Sequence, residues 1–216
     1  MVAVLTADLI NSTTYDKKTL QQVIAVLKEE FEELNTREDA IFAIFRGDSF
    51  QGILKQPKDA LHIALQLKTS ICKVQSATQK KSSSPMADVR IAIGIGEAEY
   101  NENAIAESNG EAFHLSGKTL DLMKSENKKI SLKTANAEIN GEFQVSLKFL
   151  DSLTDKWSIA SAEVVYFLLK GLKEQQIANE LHRSQAAIHL RKKAAGWEEI
   201  QLLLQRFEQN IENYTS

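Results

Sequence analysis

The chain has 216 residues, with 26 Lys and Arg against 29 Asp and Glu for a net charge of -3, and is 43% hydrophobic with only 9 Gly and 2 Pro. This composition excludes collagen-like and wholly disordered chains, and the acidic balance excludes nucleic-acid binding by the whole surface, though not a local basic patch. A single cysteine, Cys72, excludes an internal disulfide and a cysteine-rich zinc site.

At about 100 to 200 residues per domain, the length allows one large domain or two small ones. No apolar run approaches the roughly 18 residues that a membrane span needs. The start Met1-Val2-Ala3-Val4-Leu5 has no basic leader, so the expectation is a cytoplasmic protein without a membrane partner.

Val2 to Thr6 is a β-branched apolar run ending in Ala7-Asp8, a strand that enters the polar loop Asn11-Ser12-Thr13-Thr14. Leu20, Val23, Ile24, Leu27, Phe31 and Leu34 recur at three and four residues, which predicts an amphipathic helix from Lys18 to Leu34. Ile41 to Phe45 and Phe50 to Leu54 flank Arg46-Gly47-Asp48-Ser49 and read as a hairpin. Pro57 opens a helix whose inner side is Ala60, Leu61, Ala64, Leu67 and Ile71, with Cys72 a small core residue beside it.

Ser76 to Asp88 carries too little apolar surface to pack and is expected to be a mobile loop within the domain. Val89 to Ile95 is a strand, Glu111 to Lys124 a helix, and Ile130 to Leu132 and Phe143 to Phe149 two more strands. The resulting order predicts an α+β fold: a ferredoxin-like antiparallel sheet with helices on one side, over residues 1–152.

Beyond Leu153 no β-rich run recurs, so a second, all-helical domain is expected over 153–216. Within it Lys170, Lys173, Arg183, Arg191, Lys192 and Lys193 outnumber Glu174 and Glu180. Ile177, Ala178 and Leu181 form an inner helix side, His182-Arg183-Ser184 a turn, and Gln185 to Ala195 a second helix anchored by Ile188. Arg183, Ser184, Gln185, His189, Lys192 and Lys193 are then candidates to contact double-stranded DNA, Gln suiting adenine and Lys guanine or phosphate. The alternative is a helical hairpin that only packs. Trp197, Ile200, Leu204, Phe207, Ile211 and Tyr214 make a seam spaced by three and four residues, open either to a homodimer partner or to the chain's own core.

In a βαββ order the end of the first strand lies beside the start of the strand after the hairpin, so Asp8 and Asp48 are expected at one sheet edge. Two close carboxylates repel, and a divalent cation with a phosphate relieves them, whereas the plainer readings are a loop cap and a hairpin turn. Gly94 and Gly96 either admit a phosphate or let the strand pack closely under a helix. His62, His182 and His189 have no metal-ligand spacing.

The segments Val4-Leu5-Thr6-Ala7-Asp8-Leu9-Ile10, Phe45-Arg46-Gly47-Asp48-Ser49-Phe50, Arg90-Ile91-Ala92-Ile93-Gly94-Ile95-Gly96-Glu97 and Gly110-Glu111-Ala112-Phe113-His114 together resemble the SatD family. They are also similar, more distantly, to class III nucleotidyl cyclases and GGDEF domains. The resemblance implies that Asp8 and Asp48 hold Mg²⁺ or Mn²⁺ on a nucleotide and that loop amides at Asn11 and Ser12 hold phosphate. The cyclase Asn and Arg that act on the transition state fall on His114 and Lys118, the candidate catalytic positions, so a point charge replaces a planar fork. Ile44 stands where cyclases read the purine and offers no hydrogen bond. Ser161 to Ile188 resembles helix-turn-helix domains of the LuxR and sigma-factor type, with His182 and Arg183 as departures. Two functions follow: a DNA-binding transcriptional regulator with a degenerate, nucleotide- or metal-sensing cyclase-like domain, or a metal-dependent nucleotide-processing enzyme with a helical docking tail.

Overall fold

The computed structural model describes residues 1–45, 47–75, 84–101, 105 and 108–216. Its central sheet has the order β2 (Ala40–Phe45), β3 (Ser49–Leu54), β1 (Val2–Leu9), β4 (Val89–Gly96), β7 (Ile130–Lys133). Neighbours are antiparallel except β4 and β7, which run parallel. The first four strands, with helices α1 (Lys17–Glu38) and α2 (Ala60–Cys72) between them, make the expected ferredoxin-like unit. A short pair, β5 (Ala98–Glu99) and β6 (Asn109–Gly110), leads from β4 into α3 (Glu111–Met123).

Side-chain alternation along β1 divides the core. Ala3, Leu5, Ala7 and Leu9 pack in one cluster with Val23, Leu27 and Phe31 of α1 and with α2, while Val4 packs with Ala112 and Phe113 of α3. Helices therefore cover both sides of the sheet, which corrects the expectation of a single covered side. The close approach of α3 explains Gly94: a Cβ there would lie 2.3 Å from the Ala112 carbonyl oxygen and 2.6 Å from the Ser116 nitrogen.

Phe143 to Phe149 is not a strand but part of helix α4 (Ala137–Thr154). The Asn136 side chain caps it, accepting from the Glu138 and Ile139 N–H groups at 2.9 and 3.1 Å, and Ile139, Phe143, Leu147 and Leu150 form the buried stripe. Most of the expected loop, 76–83, lies outside the described residues, whereas Ala87 beyond it is buried in the main core.

The remaining helices are α5 (Ile159–Leu169), α6 (Glu174–Glu180), α7 (Gln185–Ala194) and α8 (Trp197–Thr215). All of α2 except His62 is buried, because the sheet lies on one side and α5 on the other. The main hydrophobic cluster is continuous from Ala3 to Ile211 and includes Ile200 and Phe207. The seam on α8 is thus the chain's own core: Phe207 stacks edge-on against Phe143 at 5.1 Å, and Lys58 to Glu212 (2.8 Å) and Arg206 to Glu142 (2.7 Å) fasten the helix at its rim. Of the two readings left open for that seam, the structure shows the second, with Trp197, Ile200, Phe207 and Ile211 buried within the chain. Among the described residues no helix is long and apolar enough to cross a membrane.

Candidate metal and nucleotide site

Strand register brings the two aspartates together, as the topology requires. Asp8 stands near the end of β1 with Ser49 of β3 on one side and Arg90 of β4 on the other. Gly47 turns the hairpin at φ 80°, and the next residue, Asp48, accepts a hydrogen bond from the Leu9 N–H through its carbonyl oxygen at 2.8 Å. The Ser12 hydroxyl donates to Asp48 Oδ2 at 2.8 Å, and Asn11 before it takes a left-handed conformation with φ 55°. Asp8, Asp48, Asn11 and Ser12 thus share one end of the sheet.

Arg90 is the residue that sequence reasoning missed. Its Nη1 donates to Asp8 Oδ2 at 3.3 Å, whereas Asp8 Oδ1 is buried without a partner among the described residues. Burial raises the Asp8 carboxyl above its ordinary value, with Arg90 opposing and the charge of Asp48 adding to the rise. An orphaned carboxylate oxygen beside a second carboxylate fits a hard divalent cation. Among the described residues no group of three or more His, Cys, Asp or Glu is placed for a metal, so backbone carbonyls, water and phosphate would complete the shell.

The loop after β1 is anchored from behind. The Ile10 N–H donates to the Asp88 carbonyl oxygen at 2.8 Å, and the Tyr15 hydroxyl donates to the Ile10 carbonyl oxygen at 2.6 Å. Lys68, fully buried on α2, donates to the Asp88 carboxylate, and Lys129 pairs with it at 2.7 Å. Burial works to raise Asp88, but the two lysines outweigh it and hold the carboxyl below its ordinary value. Cys72 lies against the same carboxylate at 3.6 Å, and burial pushes its thiol up to about 12.

Other candidate residues fall elsewhere. His114 and Lys118 lie exposed on α3, and no hydrogen bond or ion pair joins them to Asp8 or Asp48 among the described residues. The space above Gly94 is filled by α3, and a Cβ on Gly96 would lie 2.6 Å from Glu111 Oε2, so close packing accounts for both glycines. In the tail, Ser184 caps α7 by accepting from the Ala187 N–H at 3.2 Å, and His182 takes the left-handed φ of 50°. Val164, Ile177, Ala178 and Ile188 pack together. Arg183 and Gln185 are exposed, as is Lys193, but Lys192 pairs with Glu174 at 3.0 Å, with His189 3.5 Å from the same carboxylate.

No family model matches the chain, and no characterised protein matches it in sequence. Among solved structures it is similar to the catalytic core of a rhodopsin-guanylyl cyclase with converted specificity in complex with ATPαS: 17% identity, 54% of this chain and 69% of that one, TM-score 0.40. The monomeric guanylyl cyclase domain of the RhoGC fusion protein from the aquatic fungus Blastocladiella emersonii gives 17% identity over 54% of this chain and 72% of that one, with a TM-score of 0.39. A bacterial light-regulated adenylyl cyclase gives 8% identity over 61% of this chain and 74% of that one, with a TM-score of 0.40. These findings correct the expectation of a DNA-binding regulator: the similar structures are cyclase domains, and carboxylates of the chain's own helices engage cations of α7.

Proposed function

We propose that residues 1–152 bind a divalent cation and a nucleoside triphosphate at Asp8 and Asp48, and that the chain is a metal-dependent nucleotidyl-transfer enzyme whose helical tail, 153–216, is docked on that unit. The observation that carries this reading is the buried, unpartnered Oδ1 of Asp8 beside a second carboxylate. Structural acids in a sheet normally satisfy their buried oxygens.

Asp8 and Asp48 would hold Mg²⁺ or Mn²⁺, which when bound supplies charge neutralisation on the triphosphate. Ser12 orients Asp48 by its hydroxyl, and Arg90 fixes the Asp8 carboxylate by Oδ2, leaving Oδ1 for the cation. Backbone amides of the Asn11 to Ser12 turn suit phosphate oxygens. In the transfer, a ribose hydroxyl oxygen bonds to the α-phosphorus as the bond to the β-bridging oxygen breaks. Pyrophosphate leaves with that electron pair, and the hydroxyl proton passes to solvent. Since His114 and Lys118 stand where the resemblance implies an amide and a guanidinium, turnover should be slow, about 10²- to 10³-fold for one missing transition-state donor. With Ile44 at the base position, ATP and GTP should bind with similar strength.

The test is a melting scan of the parent and Asp8→Asn with Mn²⁺ and each triphosphate, followed by a pyrophosphate-release assay. Mn²⁺ with triphosphate should raise the parent's Tm and leave the variant unmoved. An equal rise in both removes the site, and absence of pyrophosphate over long incubation removes the enzyme.

A further inference from the structure

Between α3 and α4, over β7, lies a groove of about 310 Å³. Its base is closed, because Ile130 and Leu132 of β7 are 1% and 8% exposed. Asp8, Asp48, Asn11 and Ser12 are not among the described residues that line it, so it is separate from the candidate metal site.

Four lysines converge on this groove: Lys118 of α3, Lys133 at the end of β7, Lys128 just before that strand, and Lys148 of α4. The two carboxylates that line it are already engaged. Glu126 pairs with Lys128 at 2.6 Å, and Asp151 accepts from the Lys129 and Ile130 N–H groups at 2.8 and 3.1 Å. Lys118, Lys133 and Lys148 are exposed and have no ion-pair partner among the described residues, Lys148 reaching only the Asn127 carbonyl oxygen at 3.4 Å. A run of lysines on one helix face is ordinarily just solvated. These come from separate elements and share one concavity, whose low-dielectric walls concentrate their positive potential.

The groove also has apolar surface. On the α3 side Leu115 is half-buried and Leu122 is 58% exposed, and on the α4 side the exposed Gln144 amide has no hydrogen-bond partner among the described residues. Surplus ammonium groups, exposed leucine and an idle amide within one cavity match an organic anion better than a bare ion. The volume stands at the lower end of the range for small-molecule sites, about 300 to 1,000 Å³.

We propose that this groove binds a phosphorylated small molecule of mononucleotide size, its phosphate held by Lys118, Lys133 and Lys148 and its ring set against Leu115 and Leu122. Ammonium groups bind phosphate as compact point charges, which suits three that approach from different directions. Gln144 is placed to hydrogen-bond the edge of the ring. The site needs no metal and does not depend on the reading of Asp8 and Asp48.

The experiment is isothermal titration of the full chain with AMP in EDTA at low salt, with ribose 5-phosphate and inorganic phosphate as controls. Saturable binding of AMP is expected, tighter than either control, weakened by salt, and weakened about tenfold or more in Lys133→Glu with Lys148→Glu. Both lysines are exposed, so the double variant should melt as the parent does. Should it fail to fold, the parent is acylated on its amines with and without AMP and read by mass spectrometry. AMP should then protect Lys133 and Lys148 but not the exposed Lys193, and equal labelling overturns the proposal. No saturation by about 1 mM overturns it, as does full affinity in a folded double variant or equal affinity for inorganic phosphate. Binding that appears only when Mn²⁺ replaces EDTA also overturns it, because the nucleotide would then lie at Asp8 and Asp48.

Discussion

Replacing Phe207 by Ala tests whether α8 belongs to the core. The ring is 1% exposed and meets Phe143 of α4 at 5.1 Å with a 65° interplanar angle. Truncating a buried phenylalanine costs about 3 to 5 kcal/mol, part lost transfer energy and part the cavity left behind. At about 2 to 4 °C per kcal/mol for a chain of this size, Tm should fall by roughly 6 to 20 °C. Phe143→Ala should do nearly the same, and the double variant should fall short of the sum by about 0.5 to 1.5 kcal/mol, the coupling of an aromatic pair. Thermal and urea unfolding by circular dichroism give the magnitude. Cys72 is a second probe, because its buried thiol, pushed up to about 12, should react with a thiol reagent only as the chain opens. The reasoning fails if Phe207→Ala costs under about 1 kcal/mol while a dimer falls to a monomer in light scattering, since the ring would then lie between two copies.

Gly94→Ala should destabilise by about 1 to 3 kcal/mol, because α3 must move off a Cβ placed 2.3 Å from the Ala112 carbonyl oxygen. An unchanged urea midpoint would show that α3 is not seated there. Asp151→Ala removes the acceptor of the Lys129 and Ile130 N–H groups (2.8 and 3.1 Å) and should cost about 1 to 3 kcal/mol, with faster amide exchange at both positions. The Mn²⁺ effect should depend on pH with a definite sign. Burial raises Asp8 above 3.8, so the stability it contributes without metal is present below that value and is lost as pH rises through the folded pKa. A cation requires the charged form, so the gain in Tm from Mn²⁺ should grow over that same rise. A gain that is larger at low pH would contradict metal binding at Asp8.

The sheet from β1 to β4 was legible because period-two and period-3.6 patterns alternate cleanly there, and the meeting of Asp8 with Asp48 follows from that order alone. Phe143 to Phe149 was not, because Phe143, Val145, Leu147 and Phe149 alternate as a strand would. In the helix that forms instead, Phe143 and Leu147 are buried, whereas Val145 and Phe149 are 58% and 73% exposed. Ile139 and Leu150 complete the helical stripe, and the Asn136 cap decides between the two patterns. Arg90 and Lys68 were missed for a different reason. A single charge in an apolar run reads as a surface residue until register supplies its partner, Asp8 for the first and Asp88 for the second.

Ion pairs and buried hydrogen bonds connect the tail to the candidate site. Lys129 pairs with Asp88 at 2.7 Å and with Asp155, at the head of the tail, at 2.5 Å. Asp88 holds Ile10 and, through its N–H at 3.2 Å, the Tyr15 hydroxyl, and the turn between those residues carries Ser12 to Asp48. A second link runs through Glu30 of α1, which accepts from Tyr166 of α5 at 2.5 Å and from Gln66 at 2.8 Å. Removing Tyr166 strands the buried Glu30 carboxylate at about 1 to 3 kcal/mol, whereas the pair between Lys129 and the exposed Asp155 contributes about 1 kcal/mol or less. The tail therefore cannot leave the sheet without exposing Glu30, and Asp88, whose backbone N–H and carbonyl oxygen hold the loop that shapes the Asp8 and Asp48 site, is tied by its carboxylate through Lys129 to Asp155 of the tail.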